Sequence, residues 1–305
     1  MPHLKSASYL LLVAMAGGSL TVLAKFALER MPVFGYTSVR YAISLLMIYL
    51  ALRLIGKKAP WGKFKSFAPI AVMWIVTGVM FALGLQRTNA TTAQFIHTAI
   101  PIVTAIFAWF ILRHRLSRIQ WVGVGIAFIG VLTIIFSRGS ISLSSGFLGN
   151  VLVFCSVFGF ALYGVLTKLP RYKHIEPLEM TFIGFCFGVP LVLPLAITEI
   201  VREGNWLPDV SPSAWVATIF ASLAMVLFAT GFQKLVSAIG PSFASLNQYL
   251  NPIFVIMWAA LLLDERPELQ ALVGGAIALA GVGLVTWHQR KDDIETRLRA
   301  ENKAD

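Results

Sequence analysis

One stretch of this chain occurs twice. Pro101 to Leu132 aligns without a gap to Pro252 to Gly283, with 11 of 32 positions identical, among them Pro101/Pro252, Gly123/Gly274 and Gly130/Gly281. Each copy reads as the end of an apolar helix, a short polar turn and a second apolar helix. The turns differ in charge: Arg113-His114-Arg115-Leu116-Ser117-Arg118 in the first copy, Asp264-Glu265-Arg266-Pro267-Glu268 in the second. In membrane proteins lysine and arginine gather on the cytoplasmic side, so the copies are expected to sit upside down relative to each other. Inverted repeats of apolar helices are a signature of secondary transporters.

The 305 residues are 57% hydrophobic and only 13% charged, about half the charge of an ordinary soluble domain. The apolar residues come in runs of about 20, the length that crosses a bilayer. The expected spans are Ser8–Leu28, Val33–Leu54, Phe67–Leu85, Thr91–Leu112, Gln120–Phe136, Gly146–Thr167, Leu178–Ile200, Ser213–Val236, Pro241–Leu263 and Leu269–Trp287. Ala14-Met15-Ala16 resembles a signal-peptide cleavage site, but apolar sequence continues past it to Leu23, so the first span is expected to be retained. With the N-terminus in the cytoplasm, the cytoplasmic loops and tail carry 18 lysines and arginines and the opposite side 5. That asymmetry predicts an all-α polytopic membrane protein with ten transmembrane helices and both termini cytoplasmic. Five spans per half is an odd number, which by itself inverts the second half.

The expected organisation is therefore a first repeat over 8–137, a second, inverted repeat over 146–288, and a cytoplasmic tail over 289–305. The offset of 151 residues extends upstream, placing Phe81 opposite Phe232; further back an offset of 143 fits, placing Lys25 opposite Lys168. The net charge of +11 lies mostly in loops beside spans, where it sets orientation and meets anionic lipid; nucleic acid is not an expected partner. Cys155 and Cys186 both fall in apolar runs, with no disulfide framework or metal spacing.

The chain resembles the EamA-type branch of the drug/metabolite transporter superfamily. The residues that carry the resemblance are Lys25 at the end of the first helix, Pro32 and Arg40 at the start of the second, the Pro101 and Pro252 helices, and the segment from Leu261-Leu262-Leu263-Asp264-Glu265-Arg266-Pro267-Glu268 through Gly274 to Gly281. The first half departs from the family pattern, with Arg113-His114 where an acidic pair is common. The resemblance implies a carrier, often an exporter, of amino acids or other small metabolites in the cytoplasmic (inner) membrane. It implies a central cavity lined mainly by the first, third and fourth helices of each repeat. It implies neither a cofactor nor an enzymatic activity, and it leaves the oligomeric state open.

No aspartate or glutamate lies deep in any expected span. Exporters of cationic drugs commonly bury a carboxylate that holds either a proton or a cation, so a cationic substrate is disfavoured. Arg40 stands about 10 Å into its span. It is a candidate to meet a substrate carboxylate, and the alternative is a side chain that snorkels outward. Gln94 and His97 share a helical face, with Pro101 one turn later. His97 is a candidate for hydrogen bonding or proton carriage, with an interhelical bond as the alternative. Asn247, Gln248 and Asn251 form a matching group before and beside Pro252, and amides of this kind also serve as interhelical glue. Trp74 and Tyr163 are amphipathic rings away from helix ends and are candidates to line the same cavity. Gly123, Ala127 and Gly130, and likewise Gly274, Ala278 and Gly281, predict close helix packing and no substrate role.

The expected function is transport of small polar metabolites, amino acids first, outward by alternating access. A carrier for a larger or lipophilic solute, such as a nucleotide derivative or drug, is the second reading. An integral-membrane enzyme is a more distant third, because the acids are scattered and no metal spacing appears.

Overall fold

In hydrocarbon every backbone N–H and C=O must be satisfied within the protein, so long apolar runs resolve as helices. The computed structural model describes residues 2–112, 117–135, 145–244, 247–266, 269–281, 283 and 284, with side chains described for these except 2–8, 112, 135, 145, 203, 238–244, 247 and 249. Among the described residues there is no strand. The helices are α1 (Pro2–Leu28), α2 (Val33–Leu54), α3 (Phe64–Arg87), α4 (Ala90–His97), α5 (Ile100–Leu112), α6 (Arg118–Ile135), α7 (Ser145–Leu166), α8 (Pro177–Glu203), α9 (Pro212–Ala244), α10 (Asn247–Leu262) and α11 (Leu269–Gly281). Seven apolar segments, in α1, α2, α3, α4–α5, α7, α8 and α9, are long enough to cross a membrane; α6, α10 and α11 are shorter apolar helices. Large apolar side chains such as Leu46, Ile129, Leu195, Phe220 and Ile253 face outward, as lipid-facing residues do. The basic turn at 113–116 and the tail from 285 onward lie outside the described residues.

Three of the expected spans are built differently, the ninth because α10 begins at Asn247 rather than at Pro241. The fourth is broken: α4 ends at His97, a tight turn carries the chain through Thr98 and Ala99, and α5 begins at Ile100. Pro101 explains the break, because it has no N–H to offer the His97 carbonyl one turn earlier. The eighth is longer than expected, since α9 runs on through Gly240 and Pro241 to Ala244 rather than ending at Val236. Lys168 donates to the Val236 carbonyl here, at 2.5 Å, a side-chain partner beside the point where Pro241 removes a helix donor.

The helices meet through small residues. On α3, a Cβ added to Gly84 would come within 2.7 Å of the Gly149 carbonyl oxygen of α7. Thr88 donates to Asn150 at 2.6 Å near this end, while Phe67 and Tyr172 stack edge to face at the other, so α3 and α7 are antiparallel. α1 and α9 are likewise antiparallel: Gly231 abuts Val13 at one end and Thr218 reaches Met31 at the other. α2 pairs with α8 through Glu199 beside Phe34 at one end and through Lys57–Glu176 and Lys63–Glu179 at the other. The two small-residue faces singled out in the sequence meet each other: Gly130 abuts Gly274 and Ala278, and Gly281 abuts Gly123 and Ala127. Backbones approach this closely only where side chains are small, and dispersion then replaces a hydrophobic drive that lipid does not supply.

Candidate functional site

Where α1, α2, α3, α4, α5, α7, α9 and α10 converge they surround a cavity of about 80 Å³. Arg40, Trp74, Gln94, His97, Gln248 and Asn251 all line it, so the fold gathers six of the eight sequence candidates around one space. Asn247 opens α10, and its side chain lies outside the described residues. Tyr163 is not in this cavity; it stacks on Trp74 at 6.0 Å and lines a smaller chamber behind it.

Arg40 is 4% exposed, so it does not snorkel. Its guanidinium carbon lies 5.2 Å from the ring centres of both Tyr36 and Tyr41, an arrangement that holds a cation without a counter-ion. Its Nε has no hydrogen-bond partner. The backbone nearby is tied as well: Ser44 of α2 donates to the Ser222 carbonyl of α9 at 3.3 Å, while the Ser222 hydroxyl, 3.3 Å from the Arg40 carbonyl, donates to the Thr218 carbonyl at 2.7 Å. Among the described residues lining the cavity there is no aspartate or glutamate.

The amides and the imidazole are ordered by hydroxyls that the sequence reading passed over. Thr21 donates to Gln94 Oε1 at 3.3 Å, which leaves Gln94 Nε2 buried with no partner. His97 Nε2 is 3.0 Å from Ser156 Oγ. The single Ser156 proton goes to the Val153 carbonyl at 2.6 Å, so His97 Nε2 is the donor in that pair. Phe81 lies against the imidazole at 4.4 Å. On the other side Asn251 donates to Gln248 at 3.2 Å.

Lining positions match across the duplication. At the offset of 151, His97 corresponds to Gln248, Ile100 to Asn251, Trp74 to Met225 and Thr77 to Phe228; at 143, Gly17 corresponds to Phe160. All ten line the cavity. Carrying the known candidates across at these offsets is the signal that would have found Met225; Thr21, Ser156 and Phe81 carry no comparable mark.

Two carboxylates brace the ends of the helices around this space. Glu199 of α8 accepts from the N–H groups of Phe34 and Gly35 at 3.1 and 2.7 Å, at the start of α2. Glu265, just past α10, accepts from Ala90 and Thr91 at 3.1 and 3.4 Å, at the start of α4. A negative group at a helix N-terminus meets unsatisfied donors and the favourable end of the dipole. Burial pushes the Glu265 carboxyl above the usual carboxylate range, and the two N–H bonds and Lys25 oppose that shift. Among the described residues, no group of three His, Cys, Asp or Glu side chains is placed to hold a metal ion.

A bundle of apolar helices around a buried polar chamber is the architecture of a multi-pass membrane transporter. The chain belongs to the EamA-like transporter family, whose model matches residues 4–136 and again 147–287. It is 25% identical over 285 residues to YetK of Bacillus subtilis, described as an uncharacterized transporter, covering 90% of this chain and 85% of that one. It is 26% identical over 280 residues to an uncharacterized transporter of Archaeoglobus fulgidus, covering 88% and 93%. A WAT1-related protein of Arabidopsis thaliana is 20% identical over 272 residues, covering 75% and 70%. One crystal structure superimposes with a TM-score of 0.63 and 17% identity, over 94% of this chain and 98% of the other; at that identity the likeness concerns the fold alone.

Proposed function

We propose that this transporter carries small polar metabolites, amino acids foremost, out of the cell across the cytoplasmic membrane by alternating access around the central cavity. One observation carries the reading. Two buried N–H donors, Arg40 Nε and Gln94 Nε2, lie on side chains that line the cavity without a partner, and no carboxylate faces them among the described lining residues. Unpaired buried donors are costly, and acceptor oxygens on a solute relieve them. A volume of about 80 Å³ favours a small solute over a nucleotide derivative or a large drug. Arg40 takes the carboxylate, Gln94, Gln248, Asn247 and Asn251 orient the remaining polar groups, and Trp74 walls the apolar part. Among the described lining residues His97, a donor through Nε2, is the one imidazole in position to carry a coupled proton.

The proposed frame is ten spans in two inverted halves, 8–137 and 146–288, with both termini and the tail over 289–305 in the cytoplasm. Support comes from the packing: α3 lies on α7 as α9 lies on α1, and α5 meets α7 as α10 meets α1. Each relation turns into the other when the halves are exchanged. Outward transport follows the family resemblance, and the positive-inside asymmetry sets the orientation.

The test is counterflow into proteoliposomes against a panel of amino acids, nucleosides and cationic dyes. Exchange of amino acids, with kcat/KM reduced about 100-fold in Arg40→Met, is expected, since charge-assisted bonds contribute about 2–3 kcal/mol. Exchange of dyes alone would overturn the substrate assignment.

A further inference from the structure

Behind Trp74 lies a second, smaller chamber of about 30 Å³. It shares Trp74, Phe160, Met225 and Phe228 with the central cavity, so these four side chains are a partition between two connected spaces. Its far end carries Tyr163 of α7 and Gln233 of α9. Gln233 precedes by three residues the Val236 carbonyl that Lys168 holds. The chamber therefore lies between the central cavity and the Lys168 end of the bundle, the end that the charge count makes cytoplasmic.

We propose that this chamber is a second substrate subsite, where the carboxylate of the solute is received by Gln233 and its apolar part by the surrounding rings. The assignment rests on the carrier reading above. Gln233 is 4% exposed; its Nε2 has no partner at full hydrogen-bond distance, and the Tyr163 hydroxyl is the polar group that interacts with it in the chamber. A donor met only by a tyrosine hydroxyl among otherwise apolar lining residues selects a stronger acceptor, and a carboxylate is the strongest one a small metabolite offers. Phe160, Phe228 and Phe232, whose ring centroids are 5.7 to 6.4 Å from one another, line the same chamber. The space in this conformation is enough for about two waters, so admission of a solute requires Phe160 or Phe228 to change rotamer.

The duplication argues against a purely structural role. The positions equivalent to Tyr163 and Gln233 in the other half are Leu20 and Ala82, and both are apolar. A polar pair needed to pack this junction would be needed in each half; here only the end nearer Lys168 has it. The pair is thus asymmetric: the end nearer Lys168, from which an exporter takes its cargo, has it, and the equivalent positions toward the other end do not.

The experiment uses the full chain with Cys155→Ser and Cys186→Ala as background, into which Ala229→Cys or Ser156→Cys is placed. Ala229 lines the chamber one turn before Gln233, so a thiol there reports on the chamber and keeps the amide that receives the carboxylate. Each variant is alkylated in proteoliposomes with N-ethylmaleimide, with and without a mixture of the twenty L-amino acids. Slower labelling at both positions in the presence of the mixture is expected. Protection of Ser156→Cys with unchanged labelling of Ala229→Cys overturns the subsite and leaves the carrier reading standing. Protection at neither position overturns both. Should Ala229→Cys fail to fold, Gln233→Leu serves in its place. The loss of one charge-assisted hydrogen bond raises the half-saturating amino-acid concentration on the Lys168 side about tenfold, and an unchanged value there rejects the subsite.

Discussion

Lys25 and Lys168 perform the same task at opposite ends of the bundle. Lys25 Nζ donates to the carbonyl of Gln86 near the end of α3, at 3.3 Å; Lys168 Nζ donates to the carbonyl of Val236 in α9, at 2.5 Å. The two lysines are equivalent at the offset of 143, and the acceptors differ by one position from equivalence at 151. Because α3 and α7 are antiparallel, the ammonium groups lie at opposite faces. Each ties the exit of one helix to the third helix of its own half.

Replacing Lys168 by Met removes that tie between the exit of α7 and α9. A loss of about 1–2 kcal/mol is expected, the range for a hydrogen bond to a charged group that is only half-buried. Lys25→Met is expected to behave alike. Thermal unfolding in detergent checks both, and a midpoint unchanged in either variant would show that the tie contributes nothing.

The bond between His97 and Ser156 gives a second expectation. In Ser156→Ala the His97 Nε2 donor loses its acceptor inside the cavity wall. Destabilisation of about 1–3 kcal/mol follows if the donor stays unpaired, and slower transport accompanies the released ring. Ser156→Thr, which keeps a hydroxyl, is expected to retain more activity than Ser156→Ala; the reverse order in counterflow would reject the pair as an organising contact. His97→Ala is expected to abolish any dependence of uptake on a pH gradient.

Glu265 sets the direction of a pH effect. Its folded-state pKa is raised by burial, so the native state resists its ionisation. The group's contribution is fully present below the unfolded pKa and is lost as pH rises through the folded value. Glu265→Gln removes that titration while keeping an acceptor for Ala90 N–H. The melting temperature of Glu265→Gln, relative to the parent protein, should rise between pH 4.5 and pH 7. A gap that narrows over the same interval would mean that the ionised clasp on α4 outweighs the burial.

The meeting of α6 with α11 is tested by two glycines. A Cβ on Gly130 would strike the backbone of Ala278 and the Gly274 carbonyl, whereas one on Gly125 meets nothing within 4 Å. Gly130→Val is expected to reduce the yield of monodisperse protein sharply and Gly125→Val to leave it near the parent level, read by size-exclusion chromatography.

Much of this could be read beforehand because the membrane makes polarity expensive. Arg40, Gln94, His97, Gln248 and Asn251 stood out as polar residues in apolar runs, and the fold brings them to one cavity. The small-residue faces were legible as packing faces, since Gly and Ala at one-turn spacing have little else to offer; that they would pack on each other required coordinates. Lys25 is 8% exposed and bonded to the Gln86 carbonyl, a contact its sequence position near a helix end does not reveal. Phe81, Phe160 and Phe228 were not legible, because a phenylalanine suits lipid, core and cavity wall equally well. Ser156 and Thr21 were missed for the opposite reason: a helix hydroxyl can satisfy itself on its own backbone, so its presence in a span marks nothing. Tyr163 shares a helix face with Ser156 and Phe160, and spacing alone does not reveal where along that face one chamber ends and the next begins.

Alternating access is tested most directly at Ser156, deep in the wall of the cavity. The Ser156→Cys variant, in the background without native thiols, is exposed to a membrane-impermeant maleimide in right-side-out and in inside-out vesicles. A carrier whose two halves rock around a shared centre exposes that position to each side in turn, so labelling is expected from both. Labelling from one side only, or from neither, would contradict transport through this cavity.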